Sequence, residues 1–496
     1  VRLYPVAGGE AALLRASFSS VDWIYKKAEI SMLTQGISMN TGLKAPSEAY
    51  DSWHPRYRPY DGLEKSAGHP FEDATGGEQT NFIIGASFLG SLPPTAADEA
   101  EAWAWAGYNL LSLEAPSDAA LREYGPSAAA VGTVLDAGYS FGFFVTLEPR
   151  ASASFLEPLD VVKLNRAYRC HGRWAGLVLA RRVNDTAATS AAVVAAAAVK
   201  TYAHGSWLLP LTTTSSAKLA LELGERGVPL AMPSVPHSTP GGESAIAWAQ
   251  AVVAQYEPMR AMLAASYVAT ITEKNVTRWS SEAELPFVAA LDACASDSDS
   301  MLRWSAFSAL AYGARGLYWQ GAGKCAPHGS AKFGLIASIN KRIAAWGNTF
   351  VANLANPGRH PGGGYNVTRM WSSGFTLPHA VRPGSGGPTD LVQAADADVL
   401  IVKLQTPDGR EERNEATPLL YVVDQRVSHT PGAAQPRTVR VTLREDVKAT
   451  QPVEGDCAAS RCLCAMSLIG NVLTIKLPGG SGQLVALAIA PSSLPL

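Results

Sequence analysis

From residue 81 onward, short β-rich apolar runs alternate with segments of helical composition, which is the pattern of a parallel sheet covered by helices. The runs are Asn81 to Leu92, Tyr108 to Leu113, Tyr139 to Leu147, Trp174 to Leu179, Trp207 to Leu211, Pro229 to Pro233, Leu285 to Leu291 and Arg315 to Trp319. Thr95 before Ala96-Ala97-Asp98 reads as a helix start, and Gly107 as the stop of the same helix. Eight strand–helix units in about 270 residues match a (β/α)8 barrel in size. An open doubly wound sheet is the competing arrangement, but it needs a glycine-rich phosphate turn after the first strand, and none is present.

After a last helix, Lys332 to Leu354, the pattern breaks at Asn356-Pro357-Gly358 and Pro361-Gly362-Gly363-Gly364, which reads as a linker. Alternating strands follow at Val399 to Leu404, Leu419 to Val423 and Thr438 to Leu443. A closing hairpin is expected between Val472 to Leu477 and Gln483 to Ile489. The expected organisation is an N-terminal extension packed on the barrel (1–80), an α/β TIM barrel (81–354), a linker (355–390) and an antiparallel β-sandwich (391–496).

Composition narrows the classes of partner. With 47% hydrophobic and 17% charged residues the chain can bury a large core, and disorder is excluded. A net charge of −2 without a basic block gives nucleic acid no electrostatic footprint, and no apolar run reaches the ~18 residues of a membrane span. A first residue Val1, three sequons at Asn184, Asn275 and Asn366, and six cysteines lead to the expectation of a secreted or cell-surface glycoprotein. The cysteines are either buried thiols or disulfides. With oxidation, Cys294 with Cys325, and Cys457 with Cys462 or Cys464, are the short-range pairs. No Cys-x-x-Cys, His-x-His or His-Glu-x-x-His pattern calls for a metal, and Gly321-Ala322-Gly323-Lys324 lacks the spacer and hydroxyl of a phosphate loop, so no cofactor is implied.

The stretch Leu285-Pro286-Phe287, together with Ser300-Met301-Leu302-Arg303-Trp304 through Gly316-Leu317-Tyr318-Trp319, resembles strand seven, helix seven and strand eight of glycoside-hydrolase barrels. Ile339-Asn340-Lys341-Arg342 with Trp346-Gly347 is similar to their last helix, and the C-terminal strands resemble the β domain that follows such barrels. The resemblance implies a sugar site at the C-terminal mouth, where Trp319 would offer an indole face to a pyranose ring. It also implies glutamates at the ends of strands four and seven.

Those glutamates are missing. Strand four ends on Arg181-Arg182-Val183, and an arginine has no proton to give near neutral pH. Strand seven ends on Asp292-Ala293-Cys294. Carboxylates stand instead at Glu114 and Glu148, after strands two and three, and Glu148 is expected to pair with Arg181 or Arg182. The same arginines would suit an anionic sugar. Gly138-Tyr139-Ser140-Phe141-Gly142 fits a nucleophile elbow but is expected to open strand three, the wrong place for one. The sequence therefore suggests a glycosidase-like protein without hydrolytic activity, a structural or carbohydrate-binding component of an extracellular assembly whose partners are a glycan or other extracellular proteins. The alternative is a hydrolase that uses a rearranged pair drawn from Glu148, Glu114 and Asp292.

Overall fold

The computed structural model describes residues 2–4, 15–17, 82–88, 96–117, 126–150, 155–168, 173–183, 209–214, 230–233, 244–257, 288–294, 298–314, 316–355, 369–377, 380–385, 390–404, 419–452 and 466–489, with a few single residues between them. A two-stranded ribbon, β1 (Arg2–Tyr4) and β2 (Arg15–Ser17), stands at the start. The rest of the 1–80 extension and its expected packing on the barrel lie outside the described residues, as do Asn184, Asn275, Asn366, Cys457, Cys462 and Cys464.

Eight parallel strands follow: β3 (Ile83–Phe88), β4 (Leu110–Glu114), β5 (Phe144–Glu148), β6 (Trp174–Val183), β7 (Leu209–Thr214), β8 (Leu230–Pro233), β9 (Ala289–Asp292) and β10 (Gly316–Gln320). Each overlaps one of the apolar runs of the sequence, although the run Tyr139 to Leu147 begins inside a helix and β6 and β7 continue past the ends of theirs. Their order in the sheet is β8-β7-β6-β5-β4-β3-β10-β9, in which sequence neighbours are spatial neighbours and the first strand pairs with the last. β8 and β9, the two ends of that order, approach each other. This is the order and direction of a (β/α)8 barrel.

Helices α1 (Ala96–Trp105), α2 (Pro126–Phe141), α3 (Pro158–Tyr168), α4 (245–257) and α5 (Asp299–Ala311) lie between strands. The short α6 (Ala322–Cys325) and the long α7 (Ala331–Ala355) follow β10. Gly107 takes φ +86° just past α1, the left-handed stop that the sequence indicated. Ser140 corrects the expectation made for it. It lies within α2, which runs to Phe141 before Gly142 at φ +82°, so the elbow-like pattern caps a helix and does not open a strand. The Ala-rich segment Ala187 to Val199 falls almost wholly outside the described residues.

The C-terminal domain has two antiparallel sheets. β11 (Arg369–Ser372), β12 (Ala380–Val381), β14 (Val399–Leu404), β15 (Leu419–Asp424), β17 (Val447–Pro452) and β20 (Gly482–Ile489) form one, in which only the β11–β12 pair is parallel. β13 (Val392–Ala395), β16 (Arg437–Leu443), β18 (Met466–Ile469) and β19 (Val472–Leu477) form the other. Two strands of the first sheet, β11 and β12, thus arise inside the stretch read as a linker.

The expected closing hairpin does not form. β19 pairs with β16 and β18, whereas β20 pairs with β15 and β17 in the opposite sheet. The intervening Pro478-Gly479-Gly480 is a crossover pressed onto the barrel. A Cβ on Gly480, which sits at φ +75°, would collide with the Ser300 carbonyl of α5, so only glycine lets the two backbones meet there.

The two domains share one apolar core, in which Trp304, Phe307 and Trp346 of the barrel helices join Leu400, Tyr421 and Leu484 of the sandwich. Arg342 on α7 ties the seam: its guanidinium donates to Ser481 Oγ at 2.8 Å and to Gln483 Oε1 at 2.7 Å, and it lies over the rings of Trp346 and Phe307. Tyr421 donates its hydroxyl to the Phe307 carbonyl at 3.1 Å, and Arg303 donates to the Gly479 carbonyl at 2.9 Å. Among the described residues no helix is long and apolar enough to cross a membrane. Arg342→Ala is expected to lower stability by about 2–4 kcal/mol, from lost charged hydrogen bonds and ring contact. Denaturant unfolding should then split into separate barrel and sandwich transitions.

Candidate functional site

Strand alternation decides what faces the barrel axis. Ile83, Leu110, Ala175, Val178, Val288, Ala290 and Tyr318 come from strands on different sides of the ring yet form a single apolar cluster, so they occupy the interior. Ile84, Leu111, Leu113, Val145, Leu147, Leu291 and Trp319 belong to the larger cluster shared with the helices, so they point outward.

Two-residue steps from the interior set show a gradient along each strand. Toward the C-terminal end the inner positions read Ile83-Gly85-Ser87, Leu110-Ser112-Glu114, Phe144-Thr146-Glu148, Val288-Ala290-Asp292 and Gly316-Tyr318-Gln320. An apolar floor gives way to hydroxyls, then to carboxylates and an amide. The register aligns these positions into layers: Ser112 lies opposite Thr146, Glu114 opposite Glu148, and Asp292 opposite Gln320.

Glu148 is the buried member of the upper layer, 3% exposed. Ser87 donates its hydroxyl to Glu148 Oε1 at 2.6 Å, and Tyr318 donates to Oε2 at a longer 3.4 Å. The two hydroxyls give each carboxylate oxygen a hydrogen-bond partner. Tyr318 reaches across because Gly85, its register partner on β3, leaves room: a Cβ there would lie 2.6 Å from the tyrosine ring. Beneath, Thr146 donates to Ser112 at 2.9 Å, giving two fully buried hydroxyls a partner. Glu114 is half-buried. Adjacent strands lie about 4.8 Å apart, so register sets the two glutamates side by side at the barrel mouth.

Asp292 also faces the mouth, half-buried, and its Oδ1 accepts the Cys294 backbone N–H at 2.7 Å. The expected Cys294–Cys325 disulfide is present and joins the turn after β9 to α6. Arg181 and Arg182 lie in the bulged end of β6. Their side chains are outside the described residues, so the expected pairing with Glu148 is too; the partners described for Glu148 are Ser87 and Tyr318.

Trp319 is corrected. Its side chain is fully buried on the outer face of β10 and donates its indole N–H to Asn340 Oδ1 of α7 at 2.9 Å. It packs barrel against helix and presents no face to the mouth. Its neighbour Tyr318 is the one that faces the barrel interior. The sequence reading also missed Ser87, Ser112 and Thr146. The signal for them was a repeated pattern, Leu-Leu-Ser-Leu-Glu on β4 and Phe-Val-Thr-Leu-Glu on β5, which sets a hydroxyl two residues before each glutamate. Among the described residues no three His, Cys, Asp or Glu side chains gather as a metal site.

The fold and site define a (β/α)8 barrel with a carboxylate-bearing mouth and a C-terminal β-sandwich. No protein-family model matches the sequence, and no curated protein matches it. Among solved structures, the chain is similar to a family 39 glycoside hydrolase from Bacteroides cellulosilyticus, with TM-score 0.42, 11% identity, and coverage of 82% of this chain and 81% of the other. A family 30 subfamily 8 xylanase from Clostridium acetobutylicum gives 0.31, 10%, 82% and 96%. A thiamine phosphate pyrophosphorylase from Pyrococcus furiosus gives 0.31, 12%, 53% and 96%, matching over a shorter part of this chain. The barrel itself follows from strand order and direction alone.

Ser87→Ala should destabilise the fold by about 1.5–3 kcal/mol, the value of a hydrogen bond to a buried charged group, as measured by denaturant unfolding. Gly85→Ala should cost about 1–3 kcal/mol by overpacking against Tyr318. Its structure should show the tyrosine hydroxyl withdrawn from Glu148.

Proposed function

We propose that this chain is a secreted glycan-binding protein of glycoside-hydrolase architecture, which holds a sugar at the barrel mouth without cleaving it and serves in an extracellular assembly. The observation that carries this reading is the chemistry at the ends of the fourth and seventh strands. One carries Arg181 and Arg182 in place of a proton donor. The other carries Asp292, whose carboxylate accepts a backbone N–H in a turn closed by a disulfide. The disulfide also supports an oxidising compartment.

Hydroxyls and carboxylates at the top of the barrel offer the donors and acceptors that a sugar's hydroxyls need. Three inward carboxylates, Glu114, Glu148 and Asp292, favour a neutral sugar over a uronate, which reverses the preference suggested by the two arginines.

One observation favours a second reading, a hydrolase. Glu114 and Glu148 are register partners on adjacent strands, and Glu148 is oriented by two hydroxyls. In that reading Glu148 is the nucleophile and Glu114 the proton donor. A panel of neutral aryl glycosides separates the two. The binding reading predicts retention on a glycan matrix with no release of aryl alcohol above background. Release that falls by about 10³-fold or more in Glu148→Gln would establish the hydrolase instead.

A further inference from the structure

We propose that the Cys294–Cys325 disulfide is a thiol-reducible site that fixes the strand-seven edge of the barrel mouth. Reduction by a dithiol would release the turn carrying Asp292 while the rest of the barrel stays folded. This inference is independent of which ligand the mouth takes.

Four observations place the cross-link in control of that edge. Cys294 is exposed and Cys325 half-buried, so the bond can be reached from solvent. Cys294 is also the residue whose backbone N–H holds the Asp292 carboxylate, at 2.7 Å. Cys325 ends α6, the helix that begins immediately past β10 and Gly321. Gly321 takes φ +66°, and a Cβ there would lie 2.9 Å from Cys294 Sγ, so the two turns pack tightly around the bond.

Among the described residues the turn is also held by Ala293, whose side chain is fully buried in the apolar core, and by two polar contacts. The Ala293 N–H donates to the Gln320 carbonyl at 3.0 Å, and Lys332 Nζ donates to the Ala293 carbonyl at 3.2 Å. The strand ladder itself ends at the Asp292–Gln320 pair. Beyond that pair the disulfide is the covalent constraint on where the Asp292 turn lies, and it closes a loop with a sequence separation of 31 residues. Glu114 and Glu148, on the neighbouring β4 and β5, are positioned by register and by Ser87 and Tyr318, and none of these contacts involves the turn.

The exchange balances as an ordinary two-electron transfer. A thiolate of the dithiol attacks the Cys294 sulfur, breaking the bond to Cys325, which leaves as a thiolate and takes up a proton. The second thiolate of the reductant attacks its own sulfur in the mixed disulfide, expelling Cys294 as a thiolate that is protonated in turn. The reductant departs as a disulfide, having supplied two electrons and two protons.

The test is hydrogen exchange on the full chain before and after treatment with dithiothreitol under native conditions, with alkylation to locate the new thiols. The expected result is labelling of Cys294 and Cys325, with exchange faster by about tenfold or more over the two turns, 293–294 and 321–326. Exchange over 110–114, 144–148 and the sandwich strands 399–404 and 419–424 should be unchanged. A Cys294→Ala/Cys325→Ala variant should show the faster pattern without reductant and no further response over those segments. Three results would overturn the proposal: cysteines that resist reduction in the folded chain, labelling with no change in exchange at 293–294 and 321–326, or faster exchange throughout the barrel.

Discussion

A carboxylate held inside a barrel has to be solvated by the protein, and this requirement at Glu148 organises the upper half of the molecule. Burial of an unsatisfied charge costs several kcal/mol, so its neighbours must supply donors. Ser87 does so from β3 at 2.6 Å and Tyr318 from β10 at 3.4 Å. Tyr318 can do so only because Gly85 has no side chain, and Ser112 and Thr146 complete the hydroxyl layer below. The apolar layer of Ile83, Leu110 and Val288 at the other end then keeps the barrel closed beneath the polar mouth.

The outer face carries a different load. Leu113, Leu147, Leu291 and Trp319 hold the helices, and through α5 and α7 the same core continues into the sandwich. Arg342 and the Gly480 crossover lock that seam. The sandwich thereby supports α5 and α7, and α5 is the helix that follows the Asp292 turn. One alternation of side chains along the strands thus separates the two tasks, chemistry inside and cohesion outside.

Much of the fold was legible because periodicity reports burial. Each of the eight barrel strands falls on an apolar run, and Gly107 marks a real helix stop. The site was less legible, because inside and outside cannot be told apart from one strand read alone. Trp319 and Tyr318 are adjacent, and which of them faces the axis follows only from the register of β10 against β3. Placing Trp319 at the mouth as the last residue of strand eight put the indole on the wrong face. The β19–β20 connection misled for a similar reason: glycines between two alternating strands fit a hairpin or a crossover equally well. Contact with the Ser300 carbonyl of α5, distant in sequence, requires the crossover. The Cys294–Cys325 pair was legible as a short-range pair, its two cysteines separated by 31 positions in the sequence.

The proposed glycan site is the polar layer around Glu148, and it is tested most directly by the structure of the chain crystallised with a neutral oligosaccharide. A sugar is expected at the C-terminal end of the barrel, uncleaved, with its hydroxyls within hydrogen-bond reach of Glu114 and Glu148. A sugar bound on the sandwich alone, with the barrel mouth filled by protein side chains, would contradict it.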